Sequence, residues 1–244
     1  PVDTFFANFN WGKSEVDYSI STAKWIHRNP YDVLAGLELQ KGGSYKTNVD
    51  WNAILDDHGK LRLSLGLYAP DTITGLGKTG EGYHTHEDLF WTGFQGDPTK
   101  GKPADQSWYG MSNLVVDKTP ITSADFNTSF NTGHGKHWFV DGKISKEGEW
   151  NYRSVSGYLP TWRWWVEHSE DSTPLKGRYD FDQAYNGGNS LTFEGDLKAN
   201  SSQNVMLYST KIPVTETTKL SVSHKGGVGA AAWVAVATKE DYSE

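Results

Sequence analysis

The 244 residues suffice for one large domain or two small ones with sizeable cores. Their 23 basic and 30 acidic side chains leave a net charge of −7 with no basic run, a poor surface for nucleic acid or an anionic membrane. Zero cysteines exclude disulfides, zinc-thiolate centres and thiol catalysis but leave the compartment open.

No apolar run approaches the roughly 18–20 residues of a membrane-spanning helix. The sequence starts at Pro1 with neither an initiator Met nor a charged-then-apolar signal region, so a processed or engineered piece is expected. The 11 Trp and 12 Tyr supply flat rings suited to sandwich cores or to the C–H faces of sugars.

Thr4 to Asn10 is an aromatic strand candidate ending at Trp11 and Gly12. Ser14 with Asp17 resembles a capping box, and Val16, Ile20, Ala23 and Ile26 recur at helical spacing until Asn29-Pro30. Val33 to Leu37 is a continuous apolar run, as in a strand buried on both faces, with Glu38 at its end. A second helix is predicted over Val49 to Leu55, then a strand over Leu61 to Tyr68. Strand, helix, strand, helix, strand is a parallel α/β unit.

Glycines 75, 77, 80 and 82 mark a loop before a helix predicted over Thr85 to Thr92. From Ile121 onward the pattern turns to β. The strand candidates are Trp138–Val140, Trp162–Val166, Arg178–Phe181, Leu191–Phe193, Val205–Thr210, Lys219–Val222 and Ala231–Val236. Turns at Asp141-Gly142, Asn186-Gly187-Gly188 and Lys225-Gly226-Gly227 separate several of them, which favours a β-sandwich.

The stretch NTGHGKHWFVDGKIS…EWNYRSVSGYLPTWRWW (Asn131 to Trp165) resembles the segment after the barrel in glycoside hydrolase family 85, the endo-β-N-acetylglucosaminidases. FFANFNW (Phe5 to Trp11), RNPYDVLAGLELQ (Arg28 to Gln40) and LGLYAP (Leu65 to Pro70) are similar to the last part of that family's barrel. YDFDQAYNGGNSLTFEG (Tyr179 to Gly195) resembles the opening of a galactose-binding-like jelly roll. The resemblance implies the C-terminal portion of a (β/α)8 TIM barrel over residues 1–120 and a β-sandwich over 121–244 that is itself a candidate for truncation.

The resemblance further implies cleavage between the two core GlcNAc residues of N-linked glycans, with the substrate's 2-acetamido oxygen as nucleophile. In the family an Asn orients that amide and a Glu two residues later acts as acid and then base. Residues i and i+2 of a strand point the same way, so both reach one substrate. This sequence contains neither Asn-x-Glu nor Asp-x-Glu. The catalytic pair is therefore expected upstream, no catalytic residue is assigned here, and the chain alone is expected to be inactive. The missing part of the barrel is the expected partner, and a secreted or cell-surface bacterial setting is implied.

Carried over by the resemblance, Trp11 and Tyr68 are candidate sugar-stacking residues and Glu38 a candidate for mannose hydroxyls; packing, barrel-mouth capping and loop anchoring are their respective alternatives. His84-Thr85-His86-Glu87 looks like a metal cluster, yet a histidine pair at i, i+2 without a third ligand is weak evidence. Thr85 as a helix cap is the favoured reading, and no metal is expected. His134 and His137 beside the Gly133-His134-Gly135 turn suit a turn or interdomain role. Trp162 and Trp164 share one strand face, opposite Trp165, for either sugar or the barrel. No phosphate loop, Gly-x-Ser-x-Gly elbow or triad signature appears, so no cofactor is expected. A noncatalytic carbohydrate-binding protein is the rival reading.

Overall fold

A parallel sheet of three strands, β1 (Phe5–Ala7), β2 (Val33–Glu38) and β3 (Ser64–Tyr68), opens the fold in the order β1-β2-β3. The computed structural model describes residues 2–77, 80–94, 107–115, 119–160 and 163–226. By contacts the chain divides into Pro1–Ile212 and Pro213–Glu244.

Helix α1 (Lys13–Trp25) joins β1 to β2 and buries Val16, Ile20 and Ala23. Its cap differs from the expected one. Gly12 is the N-cap, and the Glu15 carboxylate accepts the Gly12 N–H at 2.9 Å. Asp17 instead pairs with Lys13 one turn back and with Arg62 from the β3 side. The helix ends at Trp25, before the expected stop, so Ile26 is exposed.

Strand β2 buries Val33, Ala35 and Leu37 on one face, and on the other Gly36 is buried and Leu34 partly so, close to the two-sided cover its apolar run predicts. On that second face Gly36 and Gly66 are register partners. A Cβ on Gly36 would lie 2.7 Å from the Phe6 ring, and one on Gly66 would also collide with it. The two glycines thus form a floor for Phe6. The β2–β3 connection contains the short helices α2 (Leu39–Gly42) and α3 (Trp51–Ile54). Asp50 caps α3 by accepting from the Ala53 N–H, and Trp51 and Ile54 are fully buried.

Helix α4 (Gly80–Thr92) begins earlier than predicted, so Thr85 lies inside it and does not cap it. After it the chain changes to antiparallel β. Strands β4 (His134–Val140) and β5 (Lys143–Asn151) form a hairpin around Asp141-Gly142, whose φ values of 49° and 76° are those of the predicted tight turn. Strand β5 was not foreseen. Further ladders pair β6 (Trp165–Glu167) with β9 (Asn204–Met206) and β7 (Lys176–Asp180) with β8 (Ser190–Glu194). Trp164, Tyr179 and Phe181 form their core.

The Asn186-Gly187-Gly188 turn docks onto the hairpin, with Gly187 and Phe139 exchanging backbone hydrogen bonds of 2.8 and 3.1 Å. Asn189, fully buried, accepts from the Thr132 N–H and donates to the Phe130 carbonyl. In the second unit, the described residues of Lys219–Val222 form no strand, and Leu220 and Val222 are exposed. Among the described residues no strand pairs with them. Trp162, Ala231–Val236 and the end of the Lys225 turn lie outside the described residues.

Candidate active-site cleft

Glu38 and Tyr68 are register partners at the carboxyl ends of β2 and β3, and Trp11 follows β1 at the same edge of the sheet. This edge of parallel strands is where side chains of successive strand ends converge. Beside it lies a cleft of about 100 Å³, lined by Phe9, Trp11, Gly36, Leu37, Glu38, Thr47, Asn48, Val49 and Asp50.

Trp11 is half-buried, and its indole N–H donates to the Gly36 carbonyl at 2.9 Å. That bond fixes the ring at the cleft rim. Tyr68 is 47% exposed and does not line the cleft. It connects through Phe9, whose ring centroid is 5.2 Å from that of Tyr68 and 6.1 Å from that of Phe6. The aromatic row Phe6, Phe9 and Tyr68 thus runs toward the strand-end edge. The Glu38 Oε1 accepts the Gln40 and Lys41 N–H groups at 3.0 and 3.3 Å, which is the loop-anchoring role. The carboxylate nonetheless lines the cleft.

Sequence reading missed Phe9 and the wall Thr47, Asn48 and Asp50. For the wall the signal was position alone: polar residues between a strand end and the next helix. The Asp50 Oδ1 already accepts from Ala53, so this wall residue is also a cap.

His84 and His86 serve separate partners. Two positions along a helix turn the side chain by about 200°. His84 faces the antiparallel segment, 4.7 Å from the Tyr179 ring and stacked at 5.3 Å on His134. His86 turns to Tyr45, whose hydroxyl is 2.6 Å from Nδ1. The two imidazoles therefore do not converge on one ion, and among the described residues no group of three His, Cys, Asp or Glu is placed to hold a metal.

Around His84 lies a buried ionic cluster centred on Arg163, which is 6% exposed. Its guanidinium lies 3.4 Å from Glu87 and 3.6 Å from Asp88 and donates to the Tyr179 hydroxyl at 3.0 Å. It also stacks 4.5 Å over Trp164. Arg163 has φ 69°, a left-handed backbone that costs about 1–2 kcal/mol away from glycine.

Burial pushes the Asp88 carboxyl up to about 6 against the pull of Arg163. Burial also raises Glu87, but the His84 hydrogen bond and Arg163 outweigh it and the net direction is down. Burial and the neighbouring His84 and Arg153 push His134 down to about 4. Tyr179 is pushed up to about 12 by burial. These groups join α4 to the antiparallel segment, where His134 opens strand β4 instead of sitting in the expected turn.

The sequence profile of glycosyl hydrolase family 85 matches residues 1–138, which include β1 to β3, the cleft and α4. The chain belongs to glycosyl hydrolase family 85. Among solved structures it is similar to the glycoside hydrolase domain of Endo-D from Streptococcus pneumoniae R6, with 67% identity and a TM-score of 0.81 over 88% of this chain and 34% of that one.

Curated relatives include the cytosolic endo-beta-N-acetylglucosaminidase of Danio rerio, 26% identical over 93% of this chain and 29% of the relative. Cytosolic endo-beta-N-acetylglucosaminidase 1 of Arabidopsis thaliana is 23% identical over 87% of this chain and 28% of the relative. The chain thus spans less than a third of the length of these two relatives.

Proposed function

We propose that this chain is part of an endo-β-N-acetylglucosaminidase that hydrolyses the GlcNAc-β1,4-GlcNAc core of N-linked glycans. The observation that carries it is the convergence of Trp11, Glu38 and Tyr68 on one strand-end edge beside a cleft, in a family 85 chain. In this reading Trp11 presents a ring to a sugar face. Tyr68 stacks on or hydrogen-bonds the sugar in the reacting subsite, and Glu38 accepts mannose hydroxyls.

The sheet is then the last part of a (β/α)8 barrel over residues 1–120, and residues 121–244 a jelly-roll-like sandwich. The remaining strands would cover the outer edge of β1. Support comes from the exposed Phe5, Tyr18 and Ile26, which line a second cleft of about 280 Å³ between β1 and α1.

Catalysis is substrate-assisted in this proposal: the 2-acetamido oxygen displaces the leaving GlcNAc and forms an oxazolinium ion that water opens. The Asn and Glu for these steps belong to polypeptide outside this chain, because no Asn-x-Glu occurs here. That absence equally favours a noncatalytic carbohydrate-binding role as the second reading.

The likeness to a Streptococcus pneumoniae domain supports a bacterial origin, and the secreted or surface setting is part of this proposal, whereas the eukaryotic relatives carry the name cytosolic. Among the described residues no helix is long and apolar enough to cross a membrane.

The test is a fluorescent N-glycopeptide assay of the chain alone and of the chain joined to family 85 polypeptide carrying the Asn-x-Glu pair. Turnover only in the joined protein, lost on Trp11→Ala, is expected. Full turnover with Trp11→Ala and Tyr68→Ala together would overturn the site.

A further inference from the structure

The cleft wall Thr47, Asn48 and Asp50 belongs to no strand or long helix. It follows two successive left-handed residues, Gly43 at φ 75° and Ser44 at φ 61°. The Ser44 hydroxyl is buried without a hydrogen-bond partner. Glycine adopts that backbone freely, but a serine keeps it only where its surroundings over-determine it.

Tyr45 is the anchor. It is 4% exposed, with its hydroxyl 2.6 Å from His86 Nδ1 and its ring stacked on the imidazole at 5.8 Å. Thr47 fastens the cleft side of the same turn: its hydroxyl donates to the Glu38 carbonyl at 3.0 Å, and its side chain fills the space a Cβ on Gly42 would need.

The opposite side of α4 is held by the antiparallel segment. Arg163 reaches Glu87 and Asp88 from there and donates to the His84 carbonyl at 3.4 Å. One helix therefore carries Arg163 on one face and the support of the cleft wall on another. None of Arg163, Tyr45 and His86 lines the cleft.

We propose that Arg163, Tyr45 and His86 are positioning residues for the cleft: the antiparallel segment grips α4 through Arg163, and α4 holds the 44–50 wall through the His86–Tyr45 pair. The glycan role of that wall rests on the function proposed above. The antiparallel segment then contributes to sugar affinity without touching sugar.

The experiment compares the 244-residue chain with its Tyr45→Phe and Arg163→Lys variants. Hydrogen exchange is read at the Lys46 and Thr47 amides, which donate to the Gly43 and Ser44 carbonyls at 3.3 and 3.0 Å. Trimannosyl-chitobiose is titrated in parallel. Tyr45→Phe keeps the ring, and both variants should raise exchange at Lys46 and Thr47 about tenfold while β2 amides keep their protection. Kd should weaken about threefold to tenfold, the effect of one lost hydrogen bond.

Folded variants with unchanged exchange at Lys46 and Thr47, or with raised exchange and unchanged Kd, overturn the proposal. A wild-type chain that binds no glycan while its variants loosen the wall supports the coupling and sinks the assignment of the cleft instead.

Discussion

The Trp11 indole N–H donates to the carbonyl of Gly36, 2.9 Å away, tying the loop that follows β1 to the middle of β2. The ring that would meet sugar is thus pinned by its own polar atom. Trp11→Phe should keep an aromatic face but leave that carbonyl without its donor. A loss of about 1 kcal/mol in urea unfolding is expected, with a weaker glycan Kd. Trp11→Ala should cost both more stability and more affinity.

The glycine floor makes a second prediction. Gly36→Ala and Gly66→Ala each drive a methyl into the Phe6 ring. Each should destabilise by about 1–3 kcal/mol through overpacking, measured as a lowered denaturant midpoint. Phe6→Leu should recover part of the loss in either background. Because a Cβ on Gly36 also meets the Ala7 carbonyl at 2.6 Å, the Gly66→Ala background decides: no recovery there would mean that Phe6 does not rest on the glycine floor.

Arg163→Met removes the guanidinium that Glu87 and Asp88 share and leaves two neighbouring, partly buried acids without it. A loss of about 3–5 kcal/mol is expected, read by urea or thermal unfolding. Replacing Glu87 and Asp88 by Gln and Asn together with Arg163→Met should cost less than Arg163→Met alone.

The same cluster sets a pH response. Asp88, raised from 3.8 to about 6, binds a proton in the folded state before the unfolded chain does. Its contribution is present in acid and lost as pH rises through about 6. His134, lowered from 6.5 to about 4, behaves oppositely, and its contribution is lost as pH falls from about 6.5 toward 4. The two shifts are each worth on the order of 3 kcal/mol and oppose one another, and the lowered His84 adds to the loss in acid. Asp88→Asn should steepen that loss between pH 6.5 and 4, and His134→Phe should flatten it. Unfolding free energies across that window check the signs.

The strand-end residues were legible because β2 announces itself: an unbroken apolar run ending in Glu38 is a strand buried on both faces. Trp11 and Tyr68 followed from the same parallel pattern, and the family motifs strengthened it. Strand β5 escaped because Lys143 to Asn151 is polar and almost wholly exposed, and only its partner β4 makes it a strand. The start of α4 escaped because Gly80 and Gly82 read as loop. Ser14 looked like the cap of α1, but Gly12 with Glu15 supplies it, and spacing alone does not separate the two choices.

Tyr45–His86 and Arg163–Glu87 lie 41 and 76 positions apart in sequence, so no local signal pairs them. They follow only from the three-dimensional path of α4.

The most direct measurement is residue-resolved NMR of this chain during titration with trimannosyl-chitobiose. Saturable shifts that move the Trp11 indole N–H, Glu38 and Tyr68 together, and that vanish in Trp11→Ala, are expected. Shifts confined to residues 119–212, or none at any of the three, would contradict a glycan cleft at this strand-end edge.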